Sequence, residues 1–115
     1  MTRVKRGINV KKRHKRLLKQ TKGFWGQRKN IFRRAKETLM RAWAYAYKGR
    51  KLQKRDMRAL FISRIKAGTV MHDCSYNNFM HGLKRENILL NRKMLSQLAI
   101  AEPEAFAKLV QIAKG

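Results

Sequence analysis

The stretch from Gln27 to His72, QRKNIFRRAKETLMRAWAYAYKGRKLQKRDMRALFISRIKAGTVMH, decides how the rest of the chain is read. It contains no proline, and its apolar residues recur at helical steps, which predicts one long helix over most of its length. Lys48, Lys51, Arg55 and Arg58 fall three or four apart and share a face, which Arg34 and Arg41 continue upstream at a seven-residue step. Lys36, Arg50 and Lys54 point elsewhere, so the helix is cationic nearly all round. Protein alone cannot shield such a helix. It requires a polyanion on more than one side.

The remaining composition sharpens this. The chain carries 30 Lys and Arg against 6 Asp and Glu, a formal charge of +24 on 115 residues. Self-repulsion of that size opposes compaction in isolation and is relieved by a densely negative partner, nucleic acid before an anionic membrane. Residues 1–58 hold 22 basic and 2 acidic side chains, net +20, whereas residues 59–115 hold 8 and 4, net +4. This divides the chain into a basic helical arm, 1–58, and a nearly ordinary small domain, 59–115. A solvated charged face explains an isolated basic run but not this density.

Upstream of the long helix, Met1 to Gly7 forms an aperiodic basic tail, expected to be extended and ordered by its partner. Ile8 to Lys22 is helix-compatible but offers only Ile8, Val10, Leu17 and Leu18 for apolar contact, which is marginal for a helix alone in water. Gly23-Phe24-Trp25-Gly26 then marks a turn, its glycines free to take positive φ. Its aromatics serve either a corner where the first helix folds onto the second or a contact to a nucleobase. Within the long helix, Phe32, Ala35, Leu39, Trp43 and Tyr47 make one stripe that suits packing on the first helix or on another protein, and Gly49 allows a bend.

Beyond Leu60 the pattern becomes that of a small helical bundle. Leu60, Phe61, Ile65 and Val70 or Met71 give the long helix an apolar end. Ser75 is placed to cap a helix from Tyr76 to about Arg85 that buries Phe79, Met80 and Leu83. Asn91 is placed to cap another from Arg92 to Ala101, with Leu95, Leu98 and Ala99 inward. Pro103 opens a last helix, with Glu102 and Glu104 near its positive end and Phe106, Leu109, Val110 and Ala113 inward. No stretch alternates as a strand, so the predicted fold class is all-α: a long basic helical arm followed by a small C-terminal helical bundle.

Catalysis is not indicated. The six acidic residues are too scattered to pair, and neither a phosphate-cradling glycine loop nor a nucleophile with its base is present. His72, Cys74 and His81 lack the ligand number and spacing of a zinc site, so no metal and no other cofactor is expected. One cysteine excludes an internal disulfide. No apolar run reaches the roughly 20 residues needed to span a bilayer, and the N-terminal segment lacks a signal-peptide core. That segment is acid-free, as a transit peptide would be, but has no serine and no small-residue cleavage site.

Several ordered motifs point further. Arg3-Val4-Lys5-Arg6-Gly7, His14-Lys15-Arg16-Leu17-Leu18-Lys19, Lys22-Gly23-Phe24-Trp25-Gly26, Tyr45-Ala46-Tyr47 and Lys54-Arg55-Asp56 are followed by Ile62-Ser63-Arg64-Ile65, Tyr76, Gly82-Leu83-Lys84 and Leu90-Asn91-Arg92-Lys93-Met94-Leu95. With these, the chain resembles, over essentially its whole length, the L-twenty family of bacterial-type large-subunit ribosomal proteins. It departs from the usual pattern at Met57, Phe61 and Lys66. The resemblance implies a non-enzymatic protein that binds large-subunit rRNA directly and early in assembly, its arm threaded between RNA helices and its domain nearer the surface. It also implies neighbouring ribosomal proteins as partners, residence in ribosomes of the bacterial cytoplasm or of an organelle (plastid stroma ahead of mitochondrion), and, in family members, binding of the C-terminal domain to the family's own messenger RNA. A small-molecule substrate and a membrane are not among the expected partners.

From the charge asymmetry, the RNA-contacting set is expected to be Arg3, Lys5, Arg6, Lys12, Arg13, His14, Lys15, Lys22, Trp25, Arg28, Arg33, Arg34, Lys48, Arg50, Lys51, Lys54, Arg55 and Arg58, extended from the domain by Arg64, Arg92 and Lys93. Mixed Lys and Arg on several faces suits recognition of backbone and shape rather than of sequence. A histone-like DNA-compacting protein would use the same charge.

Overall fold

In a computed structural model of the chain, residues 7–115 are described. The basic tail and its candidates Arg3, Lys5 and Arg6 lie outside the described residues. In order, the elements are α1 (Ile8–Gln20), a 3₁₀ turn (Gly26–Lys29), α2 (Phe32–Val70), α3 (Tyr76–Arg85), α4 (Arg92–Ala101) and α5 (Pro103–Lys114). No strand occurs among the described residues, and the expected all-α class is what is found. The chain packs as two compact units, Met1–Arg50 and Lys51–Gly115.

In the first unit, α1 ends two residues short of the expected Lys22, at its C-cap Thr21. The buried Thr21 hydroxyl donates to the Leu18 carbonyl at 3.1 Å, so burial leaves no orphan polar group. Gly23 and Gly26, on either side of Phe24 and Trp25, both take positive φ, +87° and +57°, as the turn predicted there allows. The ring of His14 stacks on that of Phe32, centroids 3.9 Å apart and 21° from parallel, which ties α1 to the start of α2. Ala35 and Leu39 are buried, and Val10, Leu17, Leu18 and Phe24 are half-buried.

The long helix starts at Phe32 rather than near Gln27. Gly26, at positive φ, opens a 3₁₀ turn over Gly26–Lys29 that is capped by Asn30 before α2 begins. Gly49 lies inside one continuous helix of 39 residues. The predicted apolar stripe is buried only at its N-terminal end, since Trp43 and Tyr47 are exposed.

The second unit has one core, made by Ile65, Cys74, Phe79, Leu83, Leu95, Phe106, Val110 and Ala113. The rings of Phe79 and Phe106 meet at 5.4 Å, tilted by 48°. α3 and α5 approach closely because residue 82 is glycine: a Cβ there would lie 2.1 Å from the Ala113 carbonyl oxygen. Ser75 Oγ accepts from the Asn78 amide at 3.2 Å and Asn91 Oδ1 from the Met94 amide at 2.8 Å, which are the predicted caps. Pro103 opens α5 as expected.

At the end of α2 the expectation fails in a specific way. Val70 and Met71 face solvent, and Leu60 is exposed, whereas Thr69, one turn beyond Ile65, is the buried residue. Its hydroxyl donates to the Lys66 carbonyl at 3.0 Å, so helical register outweighs hydropathy. α2 and α3 both close with paired bonds back into the last turn. Cys74 N donates to Thr69 O and Asp73 N to Val70 O; Ile88 N donates to Leu83 O and Asn87 N to Lys84 O. The left-handed residues these caps need are Asp73, φ 50°, and Asn87, φ 55°. The Lys114 ammonium donates to the His72 carbonyl at 2.7 Å, holding the end of α5 to the turn that follows α2.

Candidate nucleic-acid interface

Every residue of α2 from Trp43 to Leu60 is exposed. Six of these eighteen are Lys or Arg (Lys48, Arg50, Lys51, Lys54, Arg55 and Arg58) and one is acidic, Asp56, so this length presents cations around its circumference. It is helical because alanines, leucine and straight-chain residues fill it, with Gly49 as the one poor former. An isolated helix so lightly covered gains little from burial, and its apolar residues Trp43, Tyr45, Leu52, Met57 and Leu60 are exposed to a partner.

The other candidates distribute as follows. Lys12, Arg13, Lys15, Lys22, Arg28, Arg33, Arg34, Arg64 and Lys93 are exposed. His14 is half-buried, with its ring against Phe32. Arg92 is half-buried at the start of α4, where its Nε donates to the Tyr76 hydroxyl at 2.9 Å. That bond orients a guanidinium whose remaining donors stay available. Arg92 shares a groove of about 460 Å³ with Lys54 and Arg58, lined also by Gln53, Met57, Phe61 and Asn91. The fold thereby brings together three predicted cations from two helices.

A second groove, of about 440 Å³, lies in the first unit. Phe24, Trp25 and Arg28 line it from the turn, and Thr38, Arg41, Ala42 and Tyr45 from α2. Arg41 and Tyr45 are absent from the expected contact set. They stand one helical turn apart, opposite an aromatic turn more than ten residues upstream, and only the corner brings the two together.

Acidic groups do little to offset this charge, since six carboxylates cannot pair thirty cations. Glu37 meets Arg41 at 3.8 Å, and Glu86 meets Arg85 at 2.9 Å. Both pairs are well exposed and worth little in water. Among the described residues no cluster of His, Cys, Asp and Glu could hold a metal ion, and no helix is long and apolar enough to cross a membrane.

A basic, uncovered helix running into a small capped helical bundle is a specific combination, and comparison with known proteins decides its family. The family model described as Ribosomal protein L20 matches residues 3–109. The chain belongs to the ribosomal protein L20 family. The large ribosomal subunit protein bL20 of Finegoldia magna is 52% identical over 114 residues, which cover 99% of this chain and 97% of that protein. The protein of the same name from Clostridium botulinum strain Hall is 53% identical over 114 residues, 99% of this chain and 96% of that one. Membership of the L20 family puts the chain among ribosomal proteins and not among enzymes. This agrees with the scattered carboxylates of the sequence.

Proposed function

We propose that the chain is a structural constituent of the large ribosomal subunit that binds large-subunit rRNA directly and acts early in subunit assembly, through phosphate and shape recognition without catalysis. One observation carries this reading: the exposed cationic length of α2, Trp43–Leu60, which nothing in the described chain covers. The names of the bL20 relatives support the subunit.

Residues 1–58 serve as the rRNA-binding arm and 59–115 as the globular domain, a division by charge. Lys12, Arg13, Lys15, Lys22, Arg28, Arg33 and Arg34 engage phosphates from the first part of the arm, and Lys48, Arg50, Lys51, Lys54, Arg55 and Arg58 from α2. His14 and Trp25 lie among them. Arg64, Arg92 and Lys93 continue the contact along the domain. The exposed apolar residues Met71 and Leu89, 84% and 95% accessible, suit neighbouring ribosomal proteins.

Competition between a folded large-subunit rRNA fragment and duplex DNA, at equal salt, tests the reading against DNA compaction. Preference for the rRNA fragment is expected, because the cations surround a helix instead of forming one groove-sized face. A clear duplex preference would overturn it.

A further inference from the structure

Trp25 is 91% exposed, yet its backbone is fixed. Gly23 and Gly26 hold positive φ on either side, Phe24 N donates to Thr21 O at 3.1 Å, and Arg28 N donates to Trp25 O at 3.3 Å. The adjacent Phe24 is turned in and half-buried, so the turn has an inner aromatic for packing and an outer one left in water. Tyr45, 65% exposed, lines the same groove from α2. The small side chains of Thr38 and Ala42 leave the space between them open.

Two guanidiniums line the same groove. Arg28 Nη1 donates to Thr38 Oγ1 at 3.5 Å, a long bond, while Thr38 Oγ1 itself donates to the Arg34 carbonyl at 2.9 Å. Arg41 meets Glu37 at 3.8 Å, with both side chains about 60% exposed, and can exchange that partner for a phosphate. An apolar protein segment would satisfy the rings and leave the guanidiniums without anions. A bare phosphate would do the reverse.

We infer that the groove between Trp25 and Tyr45 receives a single unstacked nucleobase of RNA, its flanking phosphates on Arg28 and Arg41. This deepens the proposed rRNA binding and rests on it. Its volume of about 440 Å³ admits a base with its sugar. Stacking on an aromatic is tolerant of base identity, so the groove adds affinity for an extruded nucleotide without reading a sequence.

The test uses the full chain carrying Trp43→Phe, in which Trp25 is the one remaining tryptophan. Two probes are compared at the same salt: a short oligoadenylate and an abasic ribose-phosphate chain of equal length. Oligoadenylate is expected to quench Trp25 emission and to bind about tenfold more tightly than the abasic chain, the increment of one stacked base. Adding Trp25→Ala or Trp25→Leu should bring oligoadenylate to the abasic level, and Trp25→Phe should retain most of the difference. The exposed position of Trp25 leaves helicity unchanged, which circular dichroism verifies. Equal binding and no base-dependent quenching, with both probes still salt-sensitive, overturns the nucleobase site and leaves rRNA binding standing. Full function in Trp25→Leu also overturns it, since an apolar contact would then suffice. If neither probe binds and the rRNA fragment does not bind either, the site and the proposed function fall together.

Discussion

The three glycines inside α-helices, Gly49, Gly68 and Gly82, provide a graded test of the packing. A Cβ on Gly82 would lie 2.1 Å from the Ala113 carbonyl oxygen and 2.7 Å from its carbonyl carbon and Cα, where ordinary contact begins near 3.4 Å. The obstacle is backbone and cannot rotate away, so Gly82→Ala must separate α3 from α5 by about 1.3 Å, the difference of those distances. Overpacking costs roughly 1–3 kcal/mol. Separation also loosens the Phe79–Phe106 contact, so the upper end applies, less about 1 kcal/mol that Ala gains over Gly in a helix. The net loss is about 2 kcal/mol or more, from a unit of about 65 residues whose whole stability is on the order of 3–10 kcal/mol. In thermal unfolding of the RNA-free chain followed by far-UV circular dichroism, the midpoint should fall by about 8–16 °C. At Gly68 the added Cβ meets the edge of the buried Phe106 ring at 2.9 Å, a side chain and not backbone, so Gly68→Ala should cost less than Gly82→Ala. At Gly49 nothing lies within 4 Å, and Gly49→Ala should stabilise α2, by about 0.5–1 kcal/mol. A Gly82→Ala chain as stable as the parent, or a destabilised Gly49→Ala chain, would refute the reasoning.

Further predictions concern the helix ends and are read by urea unfolding. Ser75→Ala and Asn91→Ala should each cost about 1 kcal/mol, and the double variant about their sum; no shift in either would remove the caps from the account. Asn87→Gly should be neutral or stabilising, because φ there is 55°. Asn87→Val should cost about 1–2 kcal/mol, since a β-branched residue resists the left-handed conformation, and a neutral valine would contradict the cap assigned to α3.

These helix ends also show how much was legible in the sequence. The starts of α3, α4 and α5 could be read to the residue because Ser75, Asn91 and Pro103 each carry a local chemical reason to begin a helix. The beginning of α2 could not, because a positive φ at Gly26 and the 3₁₀ turn that it opens interrupt a pattern that looks continuous in composition. Both left-handed caps were hidden for a related reason: Asp73 and Asn87 do the work usually given to glycine. Thr69 was missed because hydropathy favoured Val70, whereas helical geometry places residue 69 one turn beyond Ile65. For the candidate interface, charge along one helix was readable, but the aromatic groove was not. Arg41 and Tyr45 join Trp25 and Arg28 only across a corner, and no one-dimensional periodicity encodes that proximity.

The exposed cationic length of α2 is tested most directly by the salt dependence of affinity for a large-subunit rRNA fragment, comparing the parent with a Lys54→Gln, Arg55→Gln, Arg58→Gln chain. Each lost phosphate contact should reduce the slope of log affinity against log salt by about 0.7–0.9, so the triple variant should lose roughly two to three units of slope. A parent affinity that barely responds to salt, or a variant with the parent's slope, would contradict it.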